Sequence, residues 1–161
     1  MNWILRHSDK FDYHTNLKAV LAPIIEDIRD LKWLISDLEY TSWEKEALPI
    51  NMVDDYLVLS RDQFSEVAEA DMQIIWGVLL GIPEDQVIDV DAEQLPYADG
   101  NALVWKNGNI QHPQAIIEVI CFDSGYTIVK FKEEVLSNKF RAFFLEAVEL
   151  ERFKNKSAPY Y

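Results

Sequence analysis

The chain has 161 residues, 49% of them apolar and 12% aromatic, and a net charge of −13. That length suits one domain with a sizeable core, and so much Trp, Ile, Leu and Phe excludes a disordered chain. The acidity excludes a general surface for nucleic acid or for an anionic membrane, since both require cationic patches.

Trp3–Arg6 predicts a short edge strand, and Leu17, Val20, Leu21, Ile24, Ile25 and Ile28 then fall at the spacing of one helical face. Thr15 or Asn16 supplies an N-cap, and Pro23 predicts a kink or a restart because it removes one helical hydrogen bond. Leu31–Tyr40 reads as a strand with Leu31, Trp33 and Ile35 on one face, and 41–55 as a loop. Tyr56–Leu59 predicts a short buried strand. Ser60 and Gln63 form a capping box for a helix reaching Ala70, with Phe64, Val67 and Ala68 facing inward.

Met72–Ile82 is almost wholly apolar and reads as a central strand, with a buried helix as the alternative. Pro83-Glu84-Asp85 has the form of a helical first turn, with acids at the positive end of the dipole. Asp89–Gly100 predicts a long acidic loop, Leu103–Trp105 a strand, and Asn107-Gly108 a tight turn. Ala115–Phe122, Asp123-Ser124-Gly125 and Tyr126–Lys132 together predict a hairpin. Leu136, Phe140, Phe143, Ala147 and Leu150 predict one closing helix, with Glu133 and Glu134 at its start and Arg152 near its end. The expected fold is α+β: a single domain over 1–153, with a mixed or antiparallel sheet, helices packed on one face, and a flexible tail over 154–161.

Nearly all the charge sits in one stretch. Residues 26–99 hold 19 acidic and 4 basic side chains, and Glu84–Asp99 carries six carboxylates and no cation. Such a region repels itself and attracts cationic partners.

Motifs for catalysis fail on their spacing. Ser124 lacks the G-x-S-x-G elbow, because Phe122 stands where the first glycine belongs. His7, His14 and His112 have no metal-ligand spacing, and Gly77 and Gly81 are not followed by the Lys-Ser/Thr of a phosphate loop. Asp89, Asp91 and Glu93 imitate the first positions of a calcium loop, but Gln94 and Gly100 replace its required Gly and Glu. No cofactor or metal is expected. Cys121, the single cysteine, lies in an apolar run and reads as an inert buried thiol. The apolar stretch Trp3–Leu5 is too short for a signal core or a membrane span, so a cytoplasmic protein is expected.

Trp33, Trp76 and Trp105 fall in predicted strands and read as core. Trp43 and Tyr97 fall in predicted loops among carboxylates, where they suit anchors for a basic protein partner, unless both rings fold back over the core edge. The candidate partner-binding residues are therefore Trp43, Asp85, Asp89, Asp91, Glu93, Tyr97 and Asp99.

Pro113–Phe153, with CFDSGYTIVKF at its centre, taken with LKWLISDLEY and the acidic middle, resembles small bacterial immunity proteins. These belong to contact-dependent-inhibition and polymorphic-toxin systems. The layout is also similar to that of other small bacterial proteins without a stated role. The first resemblance implies a non-catalytic cytoplasmic protein that neutralises one cognate toxin domain, often a basic nuclease. It assigns no residue a role, because no motif is shared. Two other classes stay open: a small enzyme or ligand binder with its own pocket, and a housekeeping homo-oligomer using an apolar edge such as Ala115–Phe122. Monomer and homodimer are both compatible with the sequence.

Overall fold

Seven strands, all paired antiparallel, form one sheet in the computed structural model, which describes residues 1–154. In chain order they are β1 (Asn2–Leu5), β2 (Leu31–Ser42), β3 (Tyr56–Leu59), β4 (Met72–Pro83), β5 (Ile117–Phe122), β6 (Tyr126–Phe131) and β7 (Val148–Glu149). Across the sheet the order is β3-β2-β4-β5-β6-β1-β7. The helices are α1 (Leu17–Leu21), α2 (Ile25–Ile28), α3 (Arg61–Glu69), α4 (Glu134–Phe143) and α5 (Leu150–Lys154). This is an α+β fold. The tail expected over 154–161 lies, but for Lys154, outside the described residues.

The central strands are buried on both faces, which is why they read as continuous apolar runs. On one face Trp33, Ile35, Leu79, Val119 and Val129 meet α1–α4, with Phe64 of α3 stacked on Trp33 at 3.9 Å between centroids. On the other face Leu34, Val78, Leu80, Ile120 and Ile128 are covered by residues from the 84–116 excursion, among them Ala98 and Val104, and by Leu150 and Phe153 of α5. The sheet is therefore sandwiched between a helical layer and a largely irregular one.

Two bulges on the β2–β4 pair alter the period. One extra residue falls on β2 between Ser36 and Glu39, and one on β4 between Trp76 and Ile74. Each slip would send the following side chains to the wrong face if made alone. Made together, they keep Leu38 and Tyr40 of β2 and Met72 and Ile74 of β4 on the helical face.

The kinked helix forms as predicted: α1 is capped by Asn16, and a 3-10 turn at Pro23 leads into α2. The capping box of α3 is complete, since Gln63 N–H donates to Ser60 Oγ and Ser60 N–H to Gln63 Oε1.

Five expectations are corrected. β1 is not an edge strand; it lies between β6 and β7, with its Trp3 Nε1 donating to Ser137 of α4 at 2.8 Å. The edges are β7 and β3, and Val58 of β3, expected in a buried strand, is 47% exposed. Pro83 ends β4, opposite Leu31, and a turn rather than a helix follows. Residues 102–105 form a 3-10 turn, because the Asn101 side chain accepts from Leu103 N–H and tightens the backbone. The closing helix is two helices: Phe144 and Ala147 pack with the helical layer, the chain pairs with β1 through β7, and Leu150 begins α5 on the opposite face.

Candidate docking surface

The acidic segment is held against the sheet by its backbone. Ile88 and Val90 pack inward on the second core cluster, while Asp89 and Asp91, one residue out of phase, are exposed. Extended geometry alternates side chains in this way, so the apolar anchors and the carboxylates separate onto opposite sides. Further along, Pro96 and Ala98 are buried and Tyr97 and Asp99 point outward.

Polar contacts fix the same segment. Ser36 Oγ donates to the Pro96 carbonyl at 2.6 Å, and Ala98 N–H donates to Asp37 Oδ2 at 2.8 Å. Asp37 is the bulge residue, with a positive φ of 54° that aspartate tolerates better than most side chains. Gln111 Oε1 accepts from Tyr97 N–H and from Asn101 Nδ2. Buried His112 accepts from Gln114 N–H through Nδ1, so its Nε2 carries the proton and donates to the Asp89 carbonyl at 3.0 Å.

Beneath the next part of the excursion lies a buried ion pair. Glu118 and Lys130 face each other across the β5–β6 hairpin, 3.4 Å apart and fully buried. Lys130 also donates to the carbonyls of Leu103 and Asn109, and Glu118 accepts from Gln111 N–H. Burial pushes the Glu118 carboxyl above its ordinary range, and Lys130 and Gln111 pull it back. The cross-strand neighbour of Lys130, Asn2, reaches the Asn107 side chain at 2.8 Å. One polar row on three strands thus fastens the 103–111 segment.

Of the predicted residues, Asp85, Asp89, Asp91, Glu93, Tyr97 and Asp99 are all exposed on this one excursion, Tyr97 to 49%. Among the described residues none of these five carboxylates makes an ion pair. Trp43 is elsewhere. It follows the end of β2, about 20 Å of strand beyond Asp37, and its ring packs 5.4 Å from that of Tyr13, whose hydroxyl donates to Asp71 between α3 and β4. It is 54% exposed, but it is not part of the acidic face.

Sequence reasoning missed the anchoring residues Ser36, Asp37, His112, Glu118 and Lys130. A signal existed for the last two: once Ala115–Lys132 reads as a hairpin, Glu118 and Lys130 are opposite charges in facing positions of otherwise apolar strands.

Ser124, with Asp123, occupies a hairpin turn in which both carry positive φ, 50° and 49°. Among the described residues no group of three His, Cys, Asp or Glu side chains is arranged to hold a metal ion. No described helix is long and apolar enough to cross a membrane. Compared with protein-family models, with curated proteins and with solved structures, the chain matches none.

Proposed function

We propose that this chain is a non-catalytic acidic binding protein that docks on a basic protein partner and neutralises it, in the manner of an immunity protein blocking a toxin domain such as a nuclease. One observation carries the proposal: the acidic segment is fastened to the fold by its backbone and apolar side chains, leaving its carboxylates outward and, among the described residues, without ion pairs. A fastened charge array loses little conformational entropy on binding, and its field steers a cationic partner before contact. On this reading the carboxylates occupy the place of substrate phosphates, with Tyr97 as the aromatic anchor. The compartment that fits is the cytoplasm, where such a partner would be met.

The test begins with co-purification of a basic partner at low salt, followed by stopped-flow association of the isolated pair. Because the Debye length shrinks from ~10 Å at 0.1 M to ~3 Å at 1 M salt, the association rate should fall by about tenfold or more across that range. Replacing Asp89, Asp91 and Glu93 together by Ala should slow association and flatten its salt dependence. A cognate partner whose binding ignored both salt and the triple substitution would remove the proposal.

A further inference from the structure

We infer that the partner is engaged at the outer edge of β3, by addition of an extended segment in which basic and apolar residues alternate. This rests on the docking function just proposed and specifies its mode. β3 is one end of the sheet, so among the described residues no strand pairs with the backbone groups on its outer side. Protein edges are ordinarily blunted by Lys, Pro or an internal charge, and Tyr56-Leu57-Val58-Leu59 contains none of these. At the opposite edge β7 is only two residues long and runs directly into α5.

The two faces of β3 differ. Leu57 and Leu59 belong to the helical layer, while Tyr56 lies on the face of the acidic excursion, and Val58 is in phase with it, opposite Leu34. Beside this face Val53, Asp54, Asp55, Tyr56 and Ala92 line a groove of about 430 Å³. Ala92 stands between Asp91 and Glu93, so two acidic pairs flank the groove, and none of the four makes an ion pair among the described residues. Val53 is 89% exposed and Val58 47%.

A strand laid about 4.8 Å from β3 presents its side chains alternately to these two faces. On the groove side a Lys or Arg fits best, its aliphatic stem on Tyr56 and Val58 and its charge among the carboxylates. On the helical side an apolar residue fits, beside Leu57. A second copy of this chain is the poorer occupant, because it would bring another strongly acidic stretch against the first.

The test is an NMR titration of the isotope-labelled full chain with an eight-residue peptide alternating lysine and valine. A peptide of equal charge with proline in place of valine is the control. The expected result is that amide shifts concentrate at 53–59 and 91–93, and that the proline peptide binds about tenfold more weakly, since its prolines carry no N–H and hold φ away from strand geometry. Val58→Lys and the paired Asp54→Asn, Asp55→Asn substitutions, all on the surface, should each weaken the peptide several-fold. Equal binding of the proline peptide would overturn strand addition. So would shifts centred on Asp89 and Tyr97 that ignore Val58→Lys, although salt-sensitive binding there would leave the docking function standing. Concentration-dependent shifts at β3 without peptide would name a second copy as the occupant and overturn the inference. Failure of the chain to bind any basic protein would instead remove the function on which it rests.

Discussion

Replacing Lys130 by Met tests what holds the irregular layer in place. The two charges lie 3.4 Å apart and fully buried. At an effective dielectric of about 20 their attraction is roughly 5 kcal/mol, while withdrawing each from water costs several kcal/mol, so the net worth of the pair is near zero. Removing one partner is a different matter, because Glu118 is then left buried and uncompensated, at a cost of about 3–5 kcal/mol. The carbonyls of Leu103 and Asn109 lose their donor in the same step.

The sign with pH follows from the direction of the Glu118 shift. Its carboxyl is raised above 4.5 by burial, and Lys130 is the largest influence pulling it down, so Lys130→Met lifts it further. A carboxyl raised on folding contributes stability that is present below its unfolded value and lost as pH rises through its folded one. Urea unfolding should therefore show a gap of about 3–5 kcal/mol between parent and Lys130→Met at pH 7, narrowing as pH falls toward 4.5. Glu118→Leu combined with Lys130→Met should recover to within about 1–2 kcal/mol of the parent, while hydrogen exchange at 103–111 stays faster than in the parent. A single variant within about 1 kcal/mol of the parent, or a double as unstable as the single, would refute the reasoning.

Gly81→Ala should destabilise by about 1–3 kcal/mol in thermal unfolding, because the new Cβ would lie 2.6 Å from Ile117 Cγ2 and 2.8 Å from Leu31 Cδ1 in the packed core. Asp37→Ala should cost about 2–4 kcal/mol, combining a lost charged acceptor with a left-handed alanine, and Asp37→Gly should be the milder of the two in the same assay. Tyr13 is pushed up to about 12, mainly by burial and then by Asp71, whose Oδ1 accepts from its hydroxyl. Its contribution to stability is thus intact below pH 10 and lost between 10 and about 12, and Asp71→Asn should bring its ultraviolet titration nearer to 10.

Local signals carried far where they coincided with local structure. The Asn16 cap, the Pro23 kink, the capping box at Ser60 and the Asp123-Ser124-Gly125 turn are all decided within a few residues, and each forms as read. Misreadings arose where a distant contact decided. Nothing between Phe143 and Leu150 breaks a helix locally, and its apolar spacing continues at helical period. The chain nevertheless turns there, because Val148 and Glu149 pair with β1, some 145 residues earlier. The acidic segment was legible as polar and irregular, but Ile88, Val90 and Ala98 disclose a layer only once a sheet face is known to need covering. Trp43 was grouped with Tyr97 on composition alone, and sequence proximity to acids says nothing about which side of a sheet a ring occupies.

The buried pair and the acidic face answer to one constraint. A sheet whose second face is covered by irregular chain gets little regular backbone hydrogen bonding from that cover, so the cover must be fixed by other means. Here side chains from the sheet supply it: Ser36 and Asp37 hold 96–98, while Lys130 and Glu118 hold 103–111. A purely apolar second face would bury as much area and would leave the segment free to slide along it, because hydrophobic contact is non-directional. Directional anchors with little net worth in stability fix its register. Register is also what a docking surface needs, since moving the excursion by one residue would turn Asp89 and Asp91 inward and Ile88 and Val90 out to solvent.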